Sequence, residues 1–494
     1  MADTATTQVA DPTGLCGSPV RERYLPECPP GQRYVRYGTP EGRWVLVAVV
    51  MASAMVFLDG TVVNVALPAI DEDLDAGVSG LQWIIDGYLL TLGAFLLLGG
   101  SLGDRLGRRR VFSAGLVAFA AASALCTIAP SSGALIVFRA VQGIGGALLV
   151  PGSLALISTA FHPDDRGPAV GVWTGFAGVG PALGPFVGGW LVDSVSWRLV
   201  FVINVPLAAL ALWLTARHVP EGRPSGEEEP LDVGGAVLVA LALGGVVFAL
   251  IEGPSQGWTE PLVVGAAAVG VLAIVGFIRL ELVHDQPMIP LALFANRQFS
   301  GVNLTTVFIY GALGGVLFLV VIELQSALGY SAMESGAAFL PLTVIMLMLA
   351  PRSGRLYERI GPRVPMTVGP LLAGIGLLLM TRIEPGSGYF AAVLPGAIVF
   401  SLGMTLTVPS LTAAALGAVD DEHAGLASGV NNTVARVGQL LAVALLPFAA
   451  GIASAHGLSG ADLTDGVHKA MWIGAGLMLA ASAVSWVTVR NSRA

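Results

Sequence analysis

Fourteen separate stretches of this chain are apolar for the length a helix needs to cross a bilayer. They fall approximately at residues 45–70, 82–103, 111–129, 134–160, 168–192, 199–216, 231–251, 261–283, 299–323, 335–351, 364–381, 389–416, 425–455 and 468–489. A hydrocarbon layer about 30 Å thick takes about 20 residues of helix, and within it each backbone N–H and C=O has to be paired inside the segment or by a packed neighbour. The expected class is therefore an all-α polytopic membrane protein. With 12% charged residues, 54% apolar residues and a mean hydropathy of +0.77, a soluble domain of ordinary composition is excluded.

The arginines orient the spans. Connections from odd to even segments are acidic or uncharged, as at Asp71, Glu72, Asp73 and Asp75. Connections from even to odd segments carry Arg105, Arg108, Arg109, Arg110, Arg166, Arg217, Arg223, Arg297, Arg352, Arg355, Arg359 and Arg363. Positive charge stays inside, so these loops and both termini are expected in the cytosol. Residues 1–43, polar and rich in Pro and Arg, read as a disordered cytosolic tail without the apolar core of a signal peptide. Gly100, Leu102, Asp104, Arg105, Gly107 and Arg109 recur 254 positions later as Gly354, Leu356, Glu358, Arg359, Gly361 and Arg363. Two inserted spans between two six-span halves account for that offset. The reading is a 6+2+6 arrangement: residues 44–217, an insert over 218–298, and 299–494.

No cofactor or metal is expected. Cys16, Cys28 and Cys126 form neither a disulfide framework nor a metal site, and the six histidines lie in loops or at span ends. The formal charge of −8 comes largely from loop acids and gives no reason to expect a nucleic-acid partner. Membrane lipids are the expected surroundings of such a chain.

Charges within a span are costly and point to function. Asp59 stands fifteen residues after Trp44, about 22 Å along a helix. Asp86 lies only about 7 Å inside if Leu81 starts its span, which fits either a protonatable acid or a hydrated interfacial residue. Arg139, at a depth near that of Asp59, cannot release its proton, so its sensible role is to set the acidity of a carboxylate. Its neighbours Gly143, Gly145 and Gly146 do not make a nucleotide loop, because no strand precedes them. Asn431, Asn432, Arg436 and Gln439 put a polar stripe on a late span, suited equally to helix contact and to substrate contact.

The stretch GVWTGFAGVGPALGPFVGGWL, Gly171 to Leu191, is written for close packing. At about 100° per residue, Gly180, Gly184 and Gly188 share one face, and Gly171, Gly175, Gly178 and Gly189 gather opposite. Pro181 and Pro185 each remove a backbone hydrogen bond, which packed neighbours have to make good.

Its spacing resembles the fifth-span antiporter motif of proton-driven exporters in the major facilitator superfamily. GSLGDRLGRRR from Gly100 is similar to that superfamily's loop between spans two and three. Asp59 to Pro68 resembles the first-span signature of fourteen-span drug:proton antiporters, and Arg139 to Pro151 the fourth-span motif. WRLVFVINVPLA from Trp197, PMIPLALFANRQFS from Pro287, ELQSALGYSAMESGAAFLP from Glu323 and AGLASGVNNTVARVG from Ala424 match the same EmrB/QacA-like branch. Asp86 matches an acid found in some multidrug members. Glu323 departs from the pattern, as a substrate-facing acid or an outer-surface residue.

The resemblance implies a major facilitator fold of fourteen helices in the bacterial cytoplasmic membrane, exporting small amphipathic compounds in exchange for protons. Asp59, Asp86 and Arg139 would couple protons. Gly100, Asp104, Arg105, Gly107, Arg109, Gly180, Gly184, Pro185 and Gly188 would govern the conformational switch, with Asp104 and the arginines locking the cytosolic ends of the halves in the outward-facing state. Asn64, Gln142, Glu323, Asn431, Asn432 and Arg436 are candidates to line the substrate cavity. A proton-coupled importer, and a sensor or lipid-handling protein on the same fold, are the competing readings.

Overall fold

The computed structural model describes residues 34–220, 232–284, 289, 291–419, 424–452 and 461–491. Cys16, Cys28, Arg223, Pro287 and the last residues of the expected thirteenth span lie outside them, as does most of the expected tail; the side chains of Pro181 and Glu358 are likewise outside the description. The described chain is helical: α1 (Pro40–Leu74), α2 (Gly77–Leu106), α3 (Arg108–Thr127), α4 (Ser132–Ala160), α5 (Pro163–Ser194), the short α6 (Leu199–Val202), α7 (Asn204–His218), α8 (Val233–Gln256), α9 (Pro261–Val283), α10 (Arg297–Ser326), α11 (Ala332–Ala337), α12 (Leu340–Ile360), α13 (Arg363–Met380), α14 (Leu394–Leu416), α15 (Ala424–Ala449) and α16 (Ala461–Thr488). Runs such as Val62-Val63-Asn64-Val65 favour strands in water, but in hydrocarbon a helix is the way a single segment pairs its own backbone.

Among the described residues, thirteen helices are long and apolar enough to cross a membrane. Helix α5 is 32 residues long and is not one of them. Its length is ample, and the side chains of residues 175, 177–179, 181 and 182 within it are outside the description.

Local chemistry sets the ends. Thr39 caps α1, its hydroxyl accepting from the Gly42 amide, and Pro40 starts the helix at a position where no N–H is needed. Ser331 and Glu334 form a reciprocal capping box at α11. Gly107 joins α2 to α3 with φ of 99°, a conformation closed to most side chains, and the repeated loop places Gly361 at φ of 79°. The tail differs from expectation. Residues 34–39 are tied down: Val35 and Phe161 pair as an isolated parallel bridge, and Arg36 forms an ion pair with Asp165 at 3.5 Å.

Helices α1 to α7 pack into one bundle and α10 to α16 into another, while α8 and α9 pair with each other and α8 leans on α2 and α15. The bundles meet through α5 with α11, α2 with α15, and α1 with α10. Hydrogen bonds tie them at the arginine-poor end. Asp193, on the last turn of α5, accepts from the amides of Ala332 (3.1 Å) and Met333 (2.8 Å). The Gln325 amide donates to the Val65 carbonyl at 3.0 Å, and the Gln82 amide to the carbonyls of Val443 and Ala444 at 2.7 and 3.0 Å.

Candidate functional site

The deepest polar cluster lies within the first bundle and is built around Asp59 of α1, which is fully buried. Oδ2 accepts from Nη1 of Arg139 on α4. Oδ1 accepts from Gln142 Nε2 at 2.9 Å and from Asn204 Nδ2, on α7, at 2.8 Å. The spacing of Arg139 and Gln142 puts them on one face of α4, where Gln142 Oε1 also accepts from Arg139 Nη1 at 2.7 Å and Nε2 donates to Ser123 of α3 at 2.7 Å. Arg139 spends Nε on the Ile84 carbonyl at 3.2 Å and lies over the Tyr88 ring, 4.1 Å from its centroid. Tyr88 is itself fixed by donating to the Val56 carbonyl at 3.0 Å.

Chemically this is a buried carboxylate that meets only donors. Oδ1 accepts two hydrogen bonds and Oδ2 accepts the charge-assisted one from Arg139. Removing one partner of such a pair costs about 3–5 kcal/mol, enough to bias a two-state helix arrangement decisively.

Asp86 stands elsewhere. Helix α2 begins at Gly77, earlier than expected, so Asp86 is about 13 Å along it. It is fully buried, and neither oxygen has a hydrogen-bond partner. The hydrated interfacial alternative is thereby corrected. It shares a face of α2 with Gln82 and Gly93, both of which meet α15.

The cavity candidates divide. Asn64 bonds only the carbonyls of its own helix, Gly60 and Thr61, both at 3.4 Å. Gln142 belongs to the Asp59 cluster. Asn431 donates to Asn303 and Thr306 within the second bundle, at 3.2 and 2.8 Å, which is helix contact; Asn432 bonds the Ser428 carbonyl at 3.0 Å. Arg436 lies between the bundles: it donates to Gln439 of its own helix at 3.0 Å and sits 5.4 Å from the centroid of the Phe57 ring on α1. Glu323 is turned away from α1, where Gln325 points, and toward Thr464 of α16. It is fully buried, so neither a cavity-lining nor an outer-surface position describes it.

The glycine face of α5 packs on α1. A Cβ at Gly180 would lie 3.0 Å from the Ala54 carbonyl oxygen, one at Gly184 would overlap the Thr61 hydroxyl, and one at Gly188 would lie 2.6 Å from Val62. Gly189 and the Pro185 carbonyl instead meet α11, at Ala332 and Gly336. At the arginine-rich end Asp104 holds Arg108 of its own bundle at 2.7 Å, Arg109 donates to the Ala216 carbonyl at 2.8 Å, and Arg105 is exposed; Gly100 is in ordinary contact with Pro151. None of these contacts joins the two halves.

Asn204, Ser123, Tyr88 and Asp193 were not singled out by the sequence. Asn204 lies in the INVPLA run and Asp193 at a span end, so each carried a weak signal; Ser123, in an alanine-rich run, carried none.

The sequence model of the major facilitator superfamily matches residues 49–443. The chain belongs to that superfamily. This makes it a transport protein and not an enzyme. It is 38% identical over 402 residues to the tetracenomycin C resistance and export protein of Streptomyces glaucescens, covering 81% of this chain and 74% of that one. It is 37% identical over 463 residues to the puromycin resistance protein of Streptomyces alboniger, covering 91% and 92%. Among solved structures, a bacterial homologue of the human lysosomal transporter Spinster, in an inward-facing and unoccupied conformation, superposes with a TM-score of 0.65 at 18% identity, over 91% of this chain and 97% of that one.

Proposed function

We propose that this superfamily member is a proton-driven efflux transporter. It carries small amphipathic compounds, of the kind its antibiotic-resistance relatives are named for, out of the cytosol by alternating access. In this reading it works as a monomer in the bacterial cytoplasmic membrane with both termini cytosolic. The thirteen apolar helices and α5 make fourteen spans, grouped as residues 44–217, the insert 218–298 and 299–494.

The observation that carries the reading is the sealed Asp59 cluster. A carboxylate held by Arg139 and two amides across three helices is placed so that neutralising it weakens those contacts, which links proton binding to helix position. The bundles touching at the arginine-poor end while Asp104 stays within its own bundle is the pattern of an inward-facing state. In that state Asp59 is paired with Arg139, as substrate loading from the cytosol requires.

The test is proton movement in acid-loaded inverted vesicles carrying the chain. Adding a substrate should drive protons out of the lumen as the compound enters. If no compound in an antibiotic and dye panel moves protons, or if compound and proton move the same way, the exporter reading fails.

A further inference from the structure

The Asp59 cluster leaves one buried acid unused. Glu323 lies three residues from the arginine-poor end of α10, fully buried, with neither carboxyl oxygen hydrogen-bonded. The Thr464 hydroxyl of α16, also buried, lies within reach of it without a well-formed hydrogen bond, and the charge of His468 on the same helix acts on it. His468 is held in place by the Ile383 carbonyl, 2.7 Å from Nε2. Two residues on, Gln325 makes the α1 contact that helps close this end.

We propose that Glu323 is a gating proton site, protonated from the outer face when the outer end closes and ionised when it opens. The inference rests on the exporter reading for which face is outer. A neutral carboxylic acid can be buried in this apolar corner; an ionised one, given no donor, is the costliest group to bury there. Ionisation therefore requires water or a donor. The donors at hand are on α16, so they are gained by moving α16 against α10, and α10 carries the Gln325 contact with it.

Other charged groups on the packed helices are exposed or occupied: Asp462, Asp465 and Lys469 of α16 are exposed. On α1, Asp59 is held by Arg139, Asp71 by the Gly77 amide and Asp73 by Arg198. Glu334 of α11 closes its own capping box, Arg436 of α15 holds Gln439, and α14 has no charged residue. Among the described residues His468 is the titratable side chain whose charge acts on Glu323.

The proton taken up from outer water on closing returns to outer water on opening, because the site stays near that face. It speeds the substrate-free return stroke in acid and is not counted in the proton-to-substrate ratio. Asp59 carries the coupled proton.

The experiment reads the outer end directly and needs no substrate. Spin labels at Glu72→Cys and Pro385→Cys, exposed positions on the two bundles, are placed in a chain, the parent for this test, with Cys16, Cys28 and Cys126 replaced by serine and with Asp59→Asn, so that the Asp59–Arg139 pair, which favours a closed outer end as pH rises, no longer titrates; their separation is measured in lipid nanodiscs from pH 6 to pH 8. The parent should shift toward longer separations as pH rises, by up to about tenfold in the open-to-closed ratio per pH unit for one proton. Glu323→Gln, a permanent mimic of the neutral acid, should stay closed across the range. Thr464→Val, which removes a donor that binds the ionised form more strongly than the neutral acid, should move the parent's transition to higher pH. Opening in Glu323→Gln with the parent's pH dependence would overturn the proposal, as would an unshifted transition in Thr464→Val. A chain that transports nothing would still report here, so the two readings fail separately.

Discussion

Replacing Gly184 with alanine adds one methyl group where α5 lies against α1. The new Cβ would overlap the Thr61 hydroxyl and stand 3.1 Å from Thr61 Cβ and 3.2 Å from the Leu58 carbonyl oxygen. Thr61 cannot simply turn aside, since its hydroxyl is bonded to that same carbonyl at 3.0 Å. Overpacking of this kind costs about 1–3 kcal/mol, or about 5- to 150-fold in the population of the well-packed arrangement. Both helices belong to the first bundle, so the penalty should lower thermal stability in detergent and the export rate together. Thr61→Ala in the same chain removes the overlapping oxygen but leaves its own Cβ, and should restore most of the loss without restoring all of it. Gly171→Ala is the control: it starts the same motif, yet a methyl group added there has nothing within 4 Å, and the variant should match the parent. Parent-like behaviour of Gly184→Ala, or no rescue by Thr61→Ala, would refute the close-packing argument.

Other perturbations separate the remaining elements. Asp193→Ala removes the acceptor for two α11 amides, a loss of about 0.5–2 kcal/mol on the scale of helix caps; labels at Glu72→Cys and Pro385→Cys should move apart, and an unchanged separation would remove Asp193 from the gate. Asp86→Asn, at a site with no hydrogen bond to lose, should leave stability intact and weaken export of divalent cations more than monovalent ones while sparing neutral compounds; equal loss in every class would show that its charge does not select substrates. For topology, Leu106→Cys should be labelled only from the cytosol and Ser255→Cys only from outside, and labelling from one shared side would end the fourteen-span assignment.

The class of fold and the heart of the site were legible in the sequence because both rest on cost. Apolar runs of membrane length have one economical solution, and Asp59 and Arg139 stood out as charges that hydrocarbon does not forgive. Which faces meet was less legible. Asn204 completes the Asp59 cluster, but an uncharged polar residue in a span can equally bond its own helix, as Asn64 does. Glu323 looked like a cavity acid; the rotation of α10, fixed by Gln325 on α1, points it the other way. The docking of residues 34–39 on the α4–α5 connection depends on a bridge between distant, unremarkable residues, Val35 and Phe161, for which no local pattern speaks.

The central claim is that Asp59 trades Arg139 for the coupled proton. Asp59→Asn keeps the side chain's size and removes its titration, leaving Arg139 without a counter-charge. Substrate-dependent proton release from inverted vesicles, compared at equal protein with the parent, should be lost for every substrate, cationic or neutral. Undiminished proton release in Asp59→Asn would contradict the account.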